Sequence, residues 1–108
     1  MGDHYLLNLY GCSYTILNDE FYLRGLLEDA AICSGATVIQ IISKQFDPQG
    51  VTVLVLLAES HISIHTWPEK GTAAVDIFTC GDCFPKIGID VIIEQVKSER
   101  HTLQRIAR

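Results

Sequence analysis

Seven residues, ESHISIH (Glu59–His65), hold a carboxylate, two hydroxyls and two imidazoles, directly after the apolar run VTVLVLLA (51–58). Three kinds of chemistry can be assembled around them. The first is metal binding: His61 and His65 with Cys80 and Cys83 make a Cys2His2 set by residue type. On a straight strand, positions 61 and 65 stand about 13 Å apart at ~3.3 Å per residue. Imidazoles that share a zinc ion each bring a nitrogen to about 2 Å of it. A spacing of four suits a helix, and SHISIHTW is not helical in character. No metal is expected, and Cys83 reads as a loop thiol without a role.

The second is hydrolysis by Ser60, His65 and an acid such as Asp76. AESHI lacks the G-x-S-x-G elbow that exposes such a nucleophile. The third is attack of Ser60 on its own chain. A hydroxyl held in a strained bend can add to the preceding carbonyl, that of Glu59, and form an ester. Loss of the serine α-proton then breaks the ester. Hydrolysis of the dehydroalanine left behind gives a pyruvoyl group at position 60 and a free carboxylate on Glu59. A pyruvoyl carbonyl can form a Schiff base with a substrate amine and act as the electron sink of a decarboxylation, the task pyridoxal phosphate performs elsewhere. Residue types alone leave an ordinary Glu-Ser bond as the plain alternative.

Composition narrows the setting. A chain of 108 residues, 48% hydrophobic and 19% charged, fits one globular domain. A net charge of -5 argues against nucleic acid as the main partner. No apolar run reaches the ~18 residues of a membrane span. The opening MGDHYLLNLYGCSY is a poor secretory signal, so a cytoplasmic location is expected, with Cys12, Cys33, Cys80 and Cys83 as thiols.

The elements that must position this chemistry follow from the pattern. HYLLNLYG reads as a strand. Asn18 or Asp19 caps a helix with Phe21, Leu23, Leu26, Leu27, Ala30 and Ala31 at helical spacing, and Gly35 ends it. ATVIQIISKQF and VTVLVLLA read as strands joined through the turn DPQG (47–50). SHISIHTW and TAAVDIFTCG are strands around the turn PEKG; KIGIDVIIEQVKS is a helix, and HTLQRIAR an edge strand. The order β-α-β-β-β-β-α-β predicts an α+β two-layer sandwich, an antiparallel sheet covered on one face by two helices. The other face would be left for a partner subunit to cover.

Residues 57–81, LAESHISIHTWPEKGTAAVDIFTCG, closely resemble the small bacterial and archaeal S-adenosylmethionine decarboxylase proenzymes. The likeness runs upstream through AAICSGAT and FDPQGV to the helix after Asp19, and leaves the last ~25 residues generic. The resemblance implies self-cleavage between Glu59 and Ser60, into 1–59 and 60–108 of a single domain. It implies a pyruvoyl cofactor made from Ser60, without pyridoxal phosphate, and decarboxylation of S-adenosylmethionine for spermidine synthesis. It makes His65 the residue that assists processing by taking the α-proton, and Cys80 the thiol that protonates the substrate carbon after decarboxylation. Trp67 and Phe46 would stack on the adenine, and Glu69 would bind the ribose hydroxyls. Thr52 stands where many relatives have Ser, a hydroxyl that helps the oxyester step; threonine keeps it but stiffens χ1.

The resemblance also implies a homodimer with active sites at the interface. Distance agrees: Ser60 and His65 on one straight strand would sit about 16 Å apart, whereas proton transfer needs contact near ~3 Å. Either the chain turns sharply at Glu59–Ser60 or a second subunit supplies a residue. Lys44 and Lys70 are the bases nearest the motif for a substrate carboxylate. Arginine or ornithine decarboxylation is the neighbouring alternative, and an unprocessed nucleoside-binding homologue the non-enzymatic one.

Overall fold

Burial alternates along the strands and decides which way the sheet faces. In VTVLVLL, Val51, Val53, Val55 and Leu57 are buried, while Thr52, Leu54 and Leu56 are not. The same period of two buries Tyr5, Leu7 and Leu9, then Ile62 and Ile64, then Ala73, Val75 and Ile77. The computed structural model describes residues 1–108. In chain order they form β1 (Asp3–Tyr10), α1 (Tyr14–Leu17), α2 (Glu20–Cys33), β2 (Val38–Gln45), β3 (Val51–Leu57) and β4 (Ser60–Trp67). A 3-10 turn (Pro68–Lys70), β5 (Thr72–Thr79), α3 (Pro85–Val96) and β6 (Arg100–Ala107) complete the chain. The strands form one antiparallel sheet in the order β2-β3-β4-β5-β1-β6.

Local chemistry sets the element ends. The Asp19 side chain accepts from Tyr22 N at 3.0 Å and caps α2. At the other end Gly35 takes φ 81°, and the bonds Ala36 N to Ala31 O and Gly35 N to Ile32 O close the helix as a Schellman motif. The β2–β3 turn closes through Phe46 N to Gly50 O, with Gly50 at φ 108°. The four-residue α1 was not expected, whereas the expected turn at PEKG takes the form of the 3-10 turn. Phe21 was expected on the apolar stripe of α2, but it is 88% exposed. It sits one residue into the helix, and the buried stripe runs instead through Leu23, Leu26, Leu27, Ala30 and Ala31.

Helices α2 and α3 pack on each other over one face of the sheet and enclose a core of 22 buried residues. No helix is long and apolar enough to cross a membrane. The other face carries no layer. It presents Ile42, Leu54 and Leu56 as exposed apolar side chains, flanked by the polar residues His61, Ser63, His65 and Asp76. The alternation that buries one face thus delivers His61, Ser63 and His65 of β4 and Asp76 of β5 to the other, while Ser60 faces the core side.

Candidate active site

Ala58 and Glu59 form the two-residue link between β3 and β4, with Leu57 paired to Ser60. Two-residue hairpins favour glycine or asparagine where φ is positive. Here a glutamate takes that role at φ 60°, a conformation that costs an L-residue roughly 1–2 kcal/mol. The next residue, Ser60, is buried, and its Oγ has no hydrogen-bond partner. An unpaired buried hydroxyl is itself costly. Cys80, just past the end of β5, donates from Sγ to the Glu59 carbonyl oxygen at 3.4 Å and lies 3.6 Å from Glu59 Oε2. Strain, an unsatisfied nucleophile and a donor on the adjoining carbonyl therefore converge on one peptide bond.

The remaining residues gather elsewhere. Phe46, Thr52, His65, Trp67 and Glu69 all line one cleft of about 260 Å³, together with Gln49 and Thr66. Phe46 and Trp67 are 46% and 42% exposed, so each can offer a ring face to a ligand. Thr52 and His65 are direct partners across β3 and β4, and Thr52 Oγ1 shares a 2.9 Å hydrogen bond with His65 Nδ1. Lys44 pairs with Thr52 from β2 and so stands beside the cleft, whereas Lys70 lies in the exposed 3-10 turn.

Sequence reading missed the supports of this cleft. Asn18 was read as a possible helix cap; its Oδ1 instead accepts from Gly50 N at 2.9 Å and Gln45 Nε2 at 2.9 Å, pinning the turn that carries Phe46 and Gln49. Thr66 Oγ1 accepts from Val51 N at 2.9 Å and donates to Leu17 O at 2.8 Å. An asparagine beside an aspartate at a helix start gave no hint of a partner 32 residues away.

The chain does reverse at Glu59–Ser60, but the reversal does not bring His65 to Ser60. Both belong to the continuous strand β4, five residues and so about 16 Å apart. The Glu59–Ser60 bond and Cys80 lie at one end of the sheet; His65 and the cleft lie at the other.

The hydrolytic set is not assembled. Asp76 turns away from His65 and accepts instead from His4 Nε2 at 2.7 Å, His61 Nε2 at 2.9 Å and Ser63 Oγ. Burial alone would push the Asp76 carboxyl up; the hydrogen bonds from Ser63, His61 and His4, with the charge of His61, outweigh it and hold the group below the usual carboxylate range. Nor does the Cys2His2 set form: the ligand-type atoms that cluster around His61 are those of His4 and Asp76, not those of His65 or the cysteines.

Comparison with known proteins adds the family. The family model described as S-adenosylmethionine decarboxylase matches residues 3–108. The chain belongs to the S-adenosylmethionine decarboxylase family. The match takes in β6, which sequence reading had left generic. The chain is 48% identical over 109 residues to the S-adenosylmethionine decarboxylase proenzyme of Prochlorococcus marinus MIT 9313, covering all of this chain and 87% of that one. It is 45% identical to a Bacillus anthracis proenzyme, covering 99% and 88%. The adenosylmethionine decarboxylase structure from Aquifex aeolicus superposes with a TM-score of 0.92 at 42% identity, over all of this chain and 90% of that one. A Trypanosoma brucei relative shares the fold at a TM-score of 0.70 and 16% identity, over 94% of this chain and 44% of its own. Membership makes this chain an enzyme, a decarboxylase of the lyase class.

Proposed function

We propose that the chain is a proenzyme that cuts itself between Glu59 and Ser60 and then decarboxylates S-adenosylmethionine, serving polyamine synthesis in the cytoplasm. The observation that carries this is the strained Glu59 backbone beside the unpartnered Ser60 hydroxyl. Ser60 Oγ adds to the Glu59 carbonyl carbon, and the Cys80 thiol donates to the oxygen where negative charge gathers. Cleavage of the C–N bond leaves an ester and a free amine at position 60. Removal of the Ser60 α-proton expels the Glu59 carboxylate and leaves dehydroalanine. Water then releases ammonia and gives the pyruvoyl group.

A pyruvoyl group at position 60 would supply a carbonyl for the substrate amine and an electron sink for the loss of carbon dioxide. The chain's own residues do the rest. Phe46 and Trp67 present rings to the adenine and the sulfonium, by stacking and cation–π attraction. Glu69 accepts from the ribose hydroxyls. Cys80 returns a proton to the substrate carbon. An aliphatic amino acid offers nothing for the two rings to stack on, which favours S-adenosylmethionine over arginine or ornithine.

These roles need both ends of the sheet in one place, and a second copy supplies the missing end. A two-fold axis between two open faces, across the strands, lays the Glu59–Ser60 end of one protomer over the His65 cleft of the other. Ile42, Leu54 and Leu56 provide the apolar surface such a contact covers. Denaturing mass spectrometry with carbon dioxide assays on S-adenosylmethionine, arginine and ornithine tests the reading. Fragments 1–59 and 60–108, the second with a blocked N-terminus, and gas from S-adenosylmethionine alone are expected. An intact chain that evolves none overturns it.

A further inference from the structure

Three strands of the open face meet at a second cluster, next to Ser60 along β4 but on the opposite face of the sheet. His4 on β1, Phe78 on β5 and His61 on β4 stand in one row across the sheet. The two imidazoles lean past Phe78 towards Asp76, two residues along β5. His4 Nε2 and His61 Nε2 approach the same oxygen, Asp76 Oδ2, at 2.7 and 2.9 Å. The three atoms all lie within 4.8 Å of one another. Ser63 Oγ donates to the other oxygen, Oδ1, and so leaves Oδ2 as the one the imidazoles share.

We propose that His4, His61 and Asp76 form a site for a divalent first-row transition metal ion. The inference goes beyond the decarboxylase reading and stands without it. Two imidazoles and one carboxylate are the donors of a facial three-ligand site, which suits borderline ions such as Zn2+, Co2+ or Fe2+ and leaves positions for water. Bonds of about 2.1 Å at right angles put neighbouring donor atoms ~3.0 Å apart. The Nε2–Oδ2 distances of 2.7 and 2.9 Å need only a few tenths of an ångström of opening to reach that edge. An ion would replace the two imidazole protons that now point at one oxygen. Ser63 holds the carboxylate in a one-oxygen mode, the outer-shell hydrogen bond that ligating carboxylates commonly receive. Phe78 walls the site, with ring centroids 5.8 Å from His4 and 6.3 Å from His61. Within a single protomer the cluster is half-open, with His61 the more exposed imidazole.

The set differs from the Cys2His2 combination that the sequence offered, and it tests differently. The full chain is stripped with chelator and titrated with Co2+, following ligand-field absorption and, after dialysis, metal per chain. One Co2+ per chain is expected, without a thiolate charge-transfer band, and Zn2+ should displace it. His61→Gln and His4→Gln, placed on different strands, should each weaken binding at least 100-fold, and Ser63→Ala about 10-fold. Zn2+ should raise the melting temperature of the parent chain but not of His61→Gln, with far-ultraviolet circular dichroism confirming that the variant is folded. Absence of stoichiometric Co2+ or Zn2+ binding overturns the proposal. So does binding that survives both histidine substitutions, or a thiolate band that places the ion on the cysteines.

Discussion

Thr52 Oγ1 and His65 Nδ1 lie 2.9 Å apart at directly paired positions of β3 and β4. The hydroxyl fixes the tilt of the imidazole, and the β-branched side chain has little freedom to wander. Its methyl group is the part that a serine would lack.

Removing the hydroxyl while keeping the shape separates these contributions. Thr52→Val should slow self-cleavage about 10-fold or more, a part of the 10²–10⁴ that full acid–base assistance can supply. Thr52→Ser should cleave as fast as the parent or faster. Timed denaturing mass spectrometry of freshly made chain measures both.

Ser60 and His65 sit at opposite ends of β4, so a site shared between two chains can be tested by complementation. Ser60→Ala and His65→Ala should each be inactive alone. Co-expressed, they should regain roughly a quarter of parental activity, because half of randomly formed dimers are mixed and each holds one complete site. Sites confined to one chain would regain none.

Glu59 holds φ at 60° without being glycine. In an uncleavable Ser60→Ala background, Glu59→Gly should stabilise the fold by up to about 1 kcal/mol, since glycine adopts that conformation without a Cβ clash. With Ser60 restored, the same change should slow cleavage, because the bend no longer presses on the bond. Urea unfolding and fragment release read the two effects.

Cys12 gives the fold an alkaline limit. Burial, and then the charge of Glu99, push its thiol up from the usual range. The native state thus keeps this proton more tightly than the unfolded chain does. The stability this brings is complete below the ordinary thiol pKa of about 8.5 and is lost as pH rises through the raised value. Cys12→Ala should flatten the alkaline limb of a stability–pH profile. Iodoacetamide at mildly alkaline pH should label exposed Cys33 well before Cys12.

Much of the architecture was legible because local signals agreed. Asp19 and Gly35 bracket α2, DPQG turns β2 into β3, and Val51, Val53, Val55 and Leu57 alternate without a fault. Such signals act over a few residues, so one sequence suffices. The cleft was legible only through likeness to a family; nothing in the types of Phe46, Thr52 and Trp67 says that they share a wall. His4, His61 and Asp76 were illegible as a group. They come from three strands, and their meeting depends on register between β1, β5 and β4, which periodicity does not specify. Phe21 shows the opposite failure, a residue at the right spacing on a helix turn that the core does not reach.

The strand order has a consequence for a molecule cut as proposed. Severing the link after Glu59 assigns β1, β2 and β3 to one piece and β4, β5 and β6 to the other. In the order β2-β3-β4-β5-β1-β6 the pieces interlace like the fingers of two hands, and three of the five ladders, β3 with β4, β5 with β1 and β1 with β6, join one to the other. The halves have no seam along which to part. Pulling them asunder would mean breaking all three of these ladders at once, so a cut backbone here would leave a lasting two-chain body.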